Sequence, residues 1–345
     1  MRNKGFFRLC LTASVLTLVV VLLGAWVRLE DAGLGCPDWP GCYGMLLGVP
    51  QTEEAIEVAN VAYPERPVHV GKAWKEMIHR YAAGILGLLV FAITIYAVRR
   101  RHEPGQPLGL PVFLAILIIA QSILGMWTVT WQLKPLVVTL HLLGGMTTLA
   151  LLWWLTLRAG VMYRPPVRDP GHRLRPAVLA VLAVVVAQIL LGGWVSTNYA
   201  ALACTDFPRC GGEWWPEADY SDAFVLWKGL GVDYEFGVLD HPARVAIQFV
   251  HRLGAVVTAA AVIGLAVAVW LRSRSTLVRG YAAAAVVLLV VQWALGITNV
   301  LASLPLSVAV AHNGGAALLL LSVVGLYHTL RPLPNDATAT HGTGD

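Results

Sequence analysis

The sequence predicts an all-α, polytopic membrane protein of eight transmembrane helices, arranged as two parallel four-helix repeats. Its 345 residues are 57% hydrophobic and 13% charged, whereas soluble domains carry roughly 25% charged residues. Several stretches without a charged residue reach the roughly 20 residues that a spanning helix needs, and a set of short motifs occurs twice in the same order. The net charge of +5 comes from short, scattered basic clusters, which favours cationic membrane loops over a nucleic-acid-binding domain.

The helices are predicted from the charge-free stretches in chain order. The first lies between Arg8 and Arg28; it is too long for a signal-peptide core and has no small-residue cleavage site, so we expect it to be uncleaved. The last stretch is long enough for two helices, with a turn at Ser303-Leu304-Pro305. The stretches are 9–27, 81–98, 104–133, 135–157, 176–205, 253–271 and 280–330.

Basic residues predict the orientation in the membrane. With eight spans, the arginines that follow the even-numbered helices fall on the same side as the N-terminus. The positive-inside rule makes that side cytoplasmic, so we expect both termini, including the tail 333–345, to be cytoplasmic. We expect the membrane to be the inner (plasma) membrane of the cell. The long loops 28–72 and 197–242 then face outward. The arginines are Arg99, Arg100, Arg101, Arg164, Arg168, Arg173, Arg175, Arg272, Arg274, Arg279 and Arg331.

An internal repeat divides the chain into two predicted domains, 1–160 and 175–332. Because four helices is an even number, both units enter the membrane from the same side and are parallel. The matched landmarks are Gly24-Ala25-Trp26-Val27 with Gly192-Gly193-Trp194-Val195, Cys36 to Cys42 with Cys204 to Cys210, His79-Arg80 with His251-Arg252, Gln121 to Gly125 with Gln292 to Gly296, and His141 with His312.

Four cysteines form two matched pairs in the outer loops, Cys36 with Cys42 and Cys204 with Cys210. An outer location is oxidising, and the short spacing favours a disulfide in each loop. A metal-binding or free thiol pair stays open as the alternative.

Four matched histidines within the helices predict the chemistry. Ionisable residues in a membrane are costly and usually functional. His79 and His141 offer two imidazoles from two helices of the first half, and His251 and His312 do so in the second. Pairs of this kind ligate haem iron from both faces in helix bundles, and they lie near the outer surface. A zinc or copper site, or histidines that only hydrogen-bond a neighbour, are the alternatives.

Glycines and basic residues near these histidines add to the prediction. Gly144, Gly145, Gly314 and Gly315 would let a flat macrocycle approach the backbone. Arg80 and Arg252 would pair with haem propionates, or else only extend to the membrane surface. His69 and His241 lie ten residues before their helix histidines; a contact with a haem edge, metal binding and a loop cap all stay open.

One difference separates the halves. Glu76 lies three residues before His79, on the same helix face, whereas Gln248 lies three residues before His251. A buried carboxylate can move protons or stabilise a cation, and an amide cannot. We therefore expect chemistry in the N-terminal pocket and a fixed electron-transfer haem in the C-terminal pocket. The alternative is that Glu76 only pairs with Arg80, four residues later.

The chain resembles the haem A synthase family from about residue 6 to 330. The resemblance rests on residues 24–28, 33–42 and 76–80, which read Gly-Ala-Trp-Val-Arg, Gly-Leu-Gly-Cys-Pro-Asp-Trp-Pro-Gly-Cys and Glu-Met-Ile-His-Arg. It implies an oxidoreductase that converts the ring D methyl group of haem O to a formyl group through an alcohol, with water as the oxygen source, for the cofactor of cytochrome oxidase.

The resemblance also implies site residues. It gives His79 and His141 to the substrate haem and His251 and His312 to a haem b cofactor. Glu76 is implied to be catalytic and the pair Cys36 and Cys42 to be functionally important; Cys204 and Cys210 carry less weight. The expected partners are haem O, the lipid bilayer, a haem O synthase and an electron acceptor, with no nucleic acid, and an oligomer stays open.

Two functions from other classes use the same histidines. A dihaem b-type electron carrier needs the bis-histidine sites but not Glu76. A haem exporter or chaperone would bind haem without redox chemistry. Membrane transporters typically place their substrate site near the midplane, so histidines near one surface argue against transport.

Overall fold

The computed structural model describes residues 4–103, 105–160 and 170–331. Its secondary structure is helical, with two isolated antiparallel bridges in the outer loops. The helices are α1 (Lys4–Leu29), α2 (Glu53–Ala62), α3 (Val70–Arg99), α4 (Gly109–Thr130), α5 (Pro135–Ala159), a 3₁₀ turn (Pro170–Leu174), α6 (Arg175–Thr197), α7 (Tyr220–Ala223), α8 (His241–Arg272), α9 (Thr276–Leu301) and α10 (Leu306–Thr329).

Eight of these helices are long and apolar enough to cross a membrane, which confirms the predicted fold class. The two short helices α2 and α7 lie in the long loops and were not predicted. The turn between α9 and α10 falls where expected, with Ser303 and Leu304 at φ of 59° and 61°. Arg2, Arg164, Arg168, His341 and the predicted tail 333–345 lie outside the described residues.

Helices α3 and α8 begin about three turns before the stretches predicted for them. Charged residues in the first turns of α3 do not end the helix, because they have partners. Lys75 forms an ion pair with Glu30, the first residue after α1, and Arg80 forms an ion pair with Glu76 of α3 itself. A search for charge-free stretches therefore finds the apolar part of each helix and misses the part that rises toward the loops.

The membrane helices pack as two rings of four. In the first, α1 and α4 each contact α3 and α5; in the second, α6 and α9 each contact α8 and α10. Among the described helices, α3 does not contact α5, nor α8 contact α10, so these pairs are diagonal across their rings. Contacts of α1 with α10, α5 with α6 and α5 with α10 join the rings. The two diagonal pairs are the ones that carry the four candidate ligands.

Polar contacts on the loop side also join the halves. The Arg28 guanidinium donates to the Ser196 carbonyl oxygen at 2.6 Å and lies 4.0 Å from the centre of the Tyr199 ring. The Tyr199 hydroxyl in turn donates to Asp31 at 3.3 Å. The Arg28 side chain is largely buried, and partly buried charges are screened little by salt, so these contacts help to fix one half against the other.

Candidate functional site

The four helix histidines lie on the diagonal pairs of helices. His79 of α3 and His141 of α5 share one ring, while His251 of α8 and His312 of α10 share the other. All four lie within about the first three turns of their helices, at the end of the bundle where the long loops lie. Each ring of helices therefore brings two imidazoles toward its centre from opposite sides.

Every one of these imidazoles packs against a glycine of a neighbouring helix. A Cβ atom placed on any of the four glycines would come within 3.1–3.3 Å of the ring Cε1 atom, closer than ordinary packing allows. The glycines therefore allow the rings to lie directly on the adjacent backbone, and this contact limits their rotation. The pairs are Gly24 with His79, Gly125 with His141, Gly192 with His251 and Gly296 with His312.

The glycines named from the sequence have other neighbours. Gly144 and Gly315 face the side chains of Gln121 and Gln292, while Gly145 and Gly314 face aliphatic side chains of α1. Sequence reasoning chose glycines that follow the histidines along the same helix. The glycines against the rings lie one helix away. Their signal was the repeat: Gly125 and Gly296 end the Gln-x-x-Leu-Gly motif, and Gly24 and Gly192 begin the Gly-x-Trp-Val motif.

The histidines fit the ligand set of a haem. The Nδ1 atoms of His79, His141 and His312 are buried, and these three imidazoles lie against the backbone carbonyls of Val20, Gln121 and Gln292 on the neighbouring helices. The residues themselves are only partly buried. We therefore infer that the imidazole edge that carries Nε2 faces the open space between the four helices. Histidines that bind iron use one nitrogen for the metal and turn the other toward the protein. Within the described part of the chain, no three His, Cys, Asp or Glu side chains cluster as a direct metal site.

The Glu76 carboxylate is held at both oxygens. It lies one turn before His79 and is 4% exposed. Its Oε1 accepts from the Arg80 guanidinium at 2.5 Å, and its Oε2 accepts from the backbone N–H of Cys36 at 2.8 Å. The pairing with Arg80, considered above as the alternative reading, is therefore present. The bond from Cys36 shows that the carboxylate also contacts the first outer loop.

Both outer loops are closed by disulfides. Cys36 and Cys42 are bonded, as are Cys204 and Cys210, each with a Cα–Cα distance of 4.8 Å. An aspartate inside each loop caps it: Asp38 accepts from the N–H groups of Tyr43 and Gly44 at 2.6 and 2.7 Å. In the second loop Asp206 accepts from Gly211 and Gly212 at 2.7 and 2.9 Å. These N–H groups, that of Gly212 foremost, lower the pKa of Asp206.

The arginines that follow the helix histidines bind the disulfide loops. Arg80 donates to the carbonyl oxygen of Asp38 at 2.9 Å and also to that of Gly41. Arg252 donates to the carbonyls of Cys204 at 3.0 Å and Arg209 at 2.8 Å. Each loop is thus attached to the helix that carries a candidate ligand.

The second half lacks the contact that Glu76 makes in the first. Gln248, at the matched position, is buried, and its amide oxygen has no hydrogen-bond partner among the described residues. The two histidines that precede the helix histidines by ten residues lie at the starts of α3 and α8. The His69 side chain caps α3 by accepting from the N–H of Lys72 at 3.3 Å, and His241 is the first residue of α8.

Comparisons with known proteins agree over most of the chain. Residues 7–324 match the COX15-CtaA family model, described as cytochrome oxidase assembly protein. A haem A synthase of Shewanella oneidensis is 46% identical over 92% of this chain and 94% of its own. Haem A synthases of Rhizorhabdus wittichii and Paracoccus denitrificans are 30% and 28% identical over 93% and 95% of this chain, and over 92% and 88% of their own.

Proposed function

The chain belongs to the haem A synthase family, and from this premise we propose that it oxidises the ring D methyl group of haem O to a formyl group. The methyl group passes through an alcohol, and methyl and one water together give the formyl group, four protons and four electrons, with water supplying the formyl oxygen. The electrons leave to an acceptor in the membrane or at its outer surface. The product, haem A, serves cytochrome oxidase.

The two rings of helices bind different haems in this proposal. We assign His79 and His141 to the iron of the substrate haem O, and His251 and His312 to a resident haem b. When bound, haem b supplies one-electron transfer. The observation that carries this division is the single carboxylate: Glu76 lies one turn before His79, whereas the matched residue before His251 is Gln248.

Glu76 acts on the carbon being oxidised. Removing electrons from the methyl carbon leaves positive charge there, and a fixed carboxylate stabilises that charge or takes the proton that is lost. Arg80 and the N–H of Cys36 hold both carboxylate oxygens. These bonds orient the group in advance, so little reorganisation is needed when charge develops.

The first disulfide loop positions Glu76. The N–H of Cys36 donates to the carboxylate, and the carbonyls of Asp38 and Gly41 accept from Arg80. Closing the loop between Cys36 and Cys42 keeps these groups on the carboxylate and its arginine. The predicted propionate contacts of Arg80 and Arg252 would require some of these loop bonds to be exchanged for bonds to haem.

We place the protein in the inner membrane with both termini cytoplasmic. The scattered arginines at one end of the helices and the disulfides at the other support this orientation. The haem sites then open toward the outer leaflet, where haem O arrives from a haem O synthase.

Haem extraction tests the proposal. The protein is purified from cells that make haem O, and its haems are separated by chromatography and identified by mass spectrometry. We expect haem b together with haem O, its alcohol or haem A. Two haem b per chain, with no modified haem, would contradict the proposal and favour the electron carrier.

A further inference from the structure

Most cations at the outer ends of the membrane helices already have an acceptor. Seven lysine and arginine side chains lie at these ends of the described helices. Two of them, Lys72 of α3 and Arg244 of α8, have no side-chain partner among the described residues. The other five donate to carboxylates or backbone carbonyls; they are Arg28, Lys75, Arg80, Lys134 and Arg252.

The two exceptions are matched residues of the internal repeat. Lys72 and Arg244 are 172 residues apart, the same offset that separates His79 from His251. Each cation lies seven residues before its histidine, which is within about 20° of two full helical turns. Cation and imidazole therefore share one helix face, with the cation about 10 Å nearer the outer loops.

Contacts on either side of α8 show where this face points. On one side, three residues of α8 belong to a buried cluster with α6. On the other side, Val245 and Arg252 contact the second disulfide loop. At 100° per residue, the arc between these two sides carries Arg244, Gln248 and His251, so all three border the space between the four helices. The residues clustered with α6 are Ala243, Ala246 and Ile247.

The Arg244 side chain suits a carboxylate ligand. The residue is partly buried, and its Nε is buried with no acceptor within the described part of the chain. Burying a guanidinium N–H without an acceptor costs free energy, so an anion is expected beside it. The planar fork of a guanidinium matches a carboxylate with two parallel hydrogen bonds. A haem carries two such carboxylates, its propionates, on one edge of the macrocycle.

The arginines next to the helix histidines are committed elsewhere. Arg80 and Arg252, the propionate contacts predicted from the sequence, donate to carbonyls of the two disulfide loops. A propionate bound at Lys72 or Arg244 leaves those loop bonds intact.

We propose that Arg244 binds a propionate of the resident haem, and that Lys72 binds a propionate of the substrate haem at the matched place in the other half. The inference rests on the proposed function for which haem each half holds. The candidate ligands lie near the outer end of the bundle, and ionised carboxylates are costly to bury. The propionates therefore point outward, to the level at which Lys72 and Arg244 lie.

Neutralising Arg244 tests the first contact. Ferric haem carries one more positive charge than ferrous haem, so a nearby cation disfavours the ferric form and raises the midpoint potential. In Arg244→Gln the potential of haem b should fall, with the ratio of ferric to ferrous affinity rising about tenfold, which corresponds to about 59 mV. This is the size expected for one charge about 10 Å away in a partly buried site. Redox titration of the purified protein measures it.

Two further variants make the test specific. Arg244→Lys keeps the charge and should shift the potential less than Arg244→Gln. Arg209→Gln removes an outer arginine that donates to the Gly212 carbonyl and should also shift it less. An unchanged potential in Arg244→Gln, or an equal shift in Arg209→Gln, would overturn the contact. If Arg244→Gln retains no haem b, recovery of haem b in Arg244→Lys supports the ion pair, and no recovery would overturn it.

Infrared spectroscopy reads the contact itself. Oxidised-minus-reduced difference spectra are recorded with the propionate carboxyl carbons isotopically labelled. The carboxylate bands should change in Arg244→Gln and stay the same in Arg209→Gln, because only the first variant removes a partner of the propionate. Identical carboxylate bands in wild type and Arg244→Gln would overturn the proposal even if the potential moves.

Lys72→Gln tests the second contact. We expect several-fold less haem O and haem A to copurify per haem b, because a charged partner of the carboxylate is lost, while the haem b potential stays unchanged. Lys75→Gln is the matched control, since Lys75 pairs with Glu30, and it should lower this ratio less. Full retention in the Lys72 variant, or equal losses in both, would overturn this part. The haem b potential is readable in protein that converts no haem O, so failure of the Arg244 contact is distinguishable from failure of the proposed function.

Discussion

The N-terminal and C-terminal halves hold their histidines on the same scaffold but surround them differently. In both halves, two imidazoles on diagonal helices pack against glycines, and an arginine binds a disulfide loop. In the first half that loop also donates to Glu76, and Val20 stands where a glutamine would lie near His79. In the second half the buried amide oxygen of Gln248 has no partner within the described part of the chain, and the Gln188 amide lies against His251. The shared scaffold suits both halves to the same kind of ligand, and Glu76 is the difference on which the proposed division between them rests.

Exchanging the acidic residue should have the largest effect. Glu76→Gln removes the fixed negative charge, and we expect the conversion of haem O to fall about 10²- to 10⁴-fold, the range for losing a general acid or base. Haem b content should stay unchanged because Glu76 belongs to the other ring of helices. Product analysis of haem extracts measures both quantities. Gln248→Glu is the matched control and should not create activity in the second pocket; near-normal activity in the Glu76 variant would contradict the mechanism.

Removal of the two disulfides should have the second-largest effect, and the loss of activity should differ between the two loops. Replacing Cys36 and Cys42 by serine frees the loop that holds Glu76, and we expect activity to fall by about tenfold or more, since small displacements of catalytic groups are costly. The same change at Cys204 and Cys210 frees a loop that touches no carboxylate of this kind, so activity should fall less. Turnover per haem b compares the two variants. Equal losses would show that the loops only stabilise the fold.

Substitution of the glycines that touch His79 and His251 should have smaller effects, each on the haem of its own half. An alanine at Gly24 or Gly192 presses its Cβ on the ring of His79 or His251, which has to move by a few tenths of an ångström. We expect Gly24→Ala to lower the occupancy of substrate haem several-fold with haem b intact, and Gly192→Ala to broaden or shift the haem b spectrum. Haem stoichiometry and low-temperature spectra distinguish them. A loss of the same haem in both variants would break the assignment of sites.

The smallest effect concerns the pH dependence of the second loop. The N–H groups of Gly212 and Gly211 lower the pKa of Asp206 in the folded loop. A lowered pKa means that the capping bonds stabilise the loop above the unfolded pKa and are lost as the pH falls through the folded value. The protection of the Gly211 and Gly212 amides, measured as hydrogen exchange relative to the intrinsic rate at each pH, should therefore be high near neutral pH and fall only in acid. In Asp206→Asn the same amides should lose this acid-dependent step; an unaltered profile would exclude Asp206 as its cause.

The sequence alone determined the number of membrane helices, the matched histidines and the matched cysteines. These follow from chain-local physics: a spanning helix needs a long apolar stretch, and an ionisable residue inside it is costly enough to stand out. The start of α3 could not be found in this way, because Lys75 has a distant ion-pair partner and Arg80 has one a turn away. In α8, Arg252 is likewise tolerated because it donates to carbonyls of the second disulfide loop. The short helices α2 and α7 were missed for a related reason: neither is long enough to produce a spanning signal.

Only the tertiary structure decided what surrounds each histidine. Gly24 and His79 are distant in the sequence, as are Gln188 and His251, and they meet because neighbouring helices pack side by side. The same holds for Cys36 and Glu76, which a folded outer loop brings to hydrogen-bonding distance. A residue's type and spacing predict that it can bind or react. Which neighbour orients it depends on the faces that two helices bury against each other, and that choice is made by packing across the whole bundle.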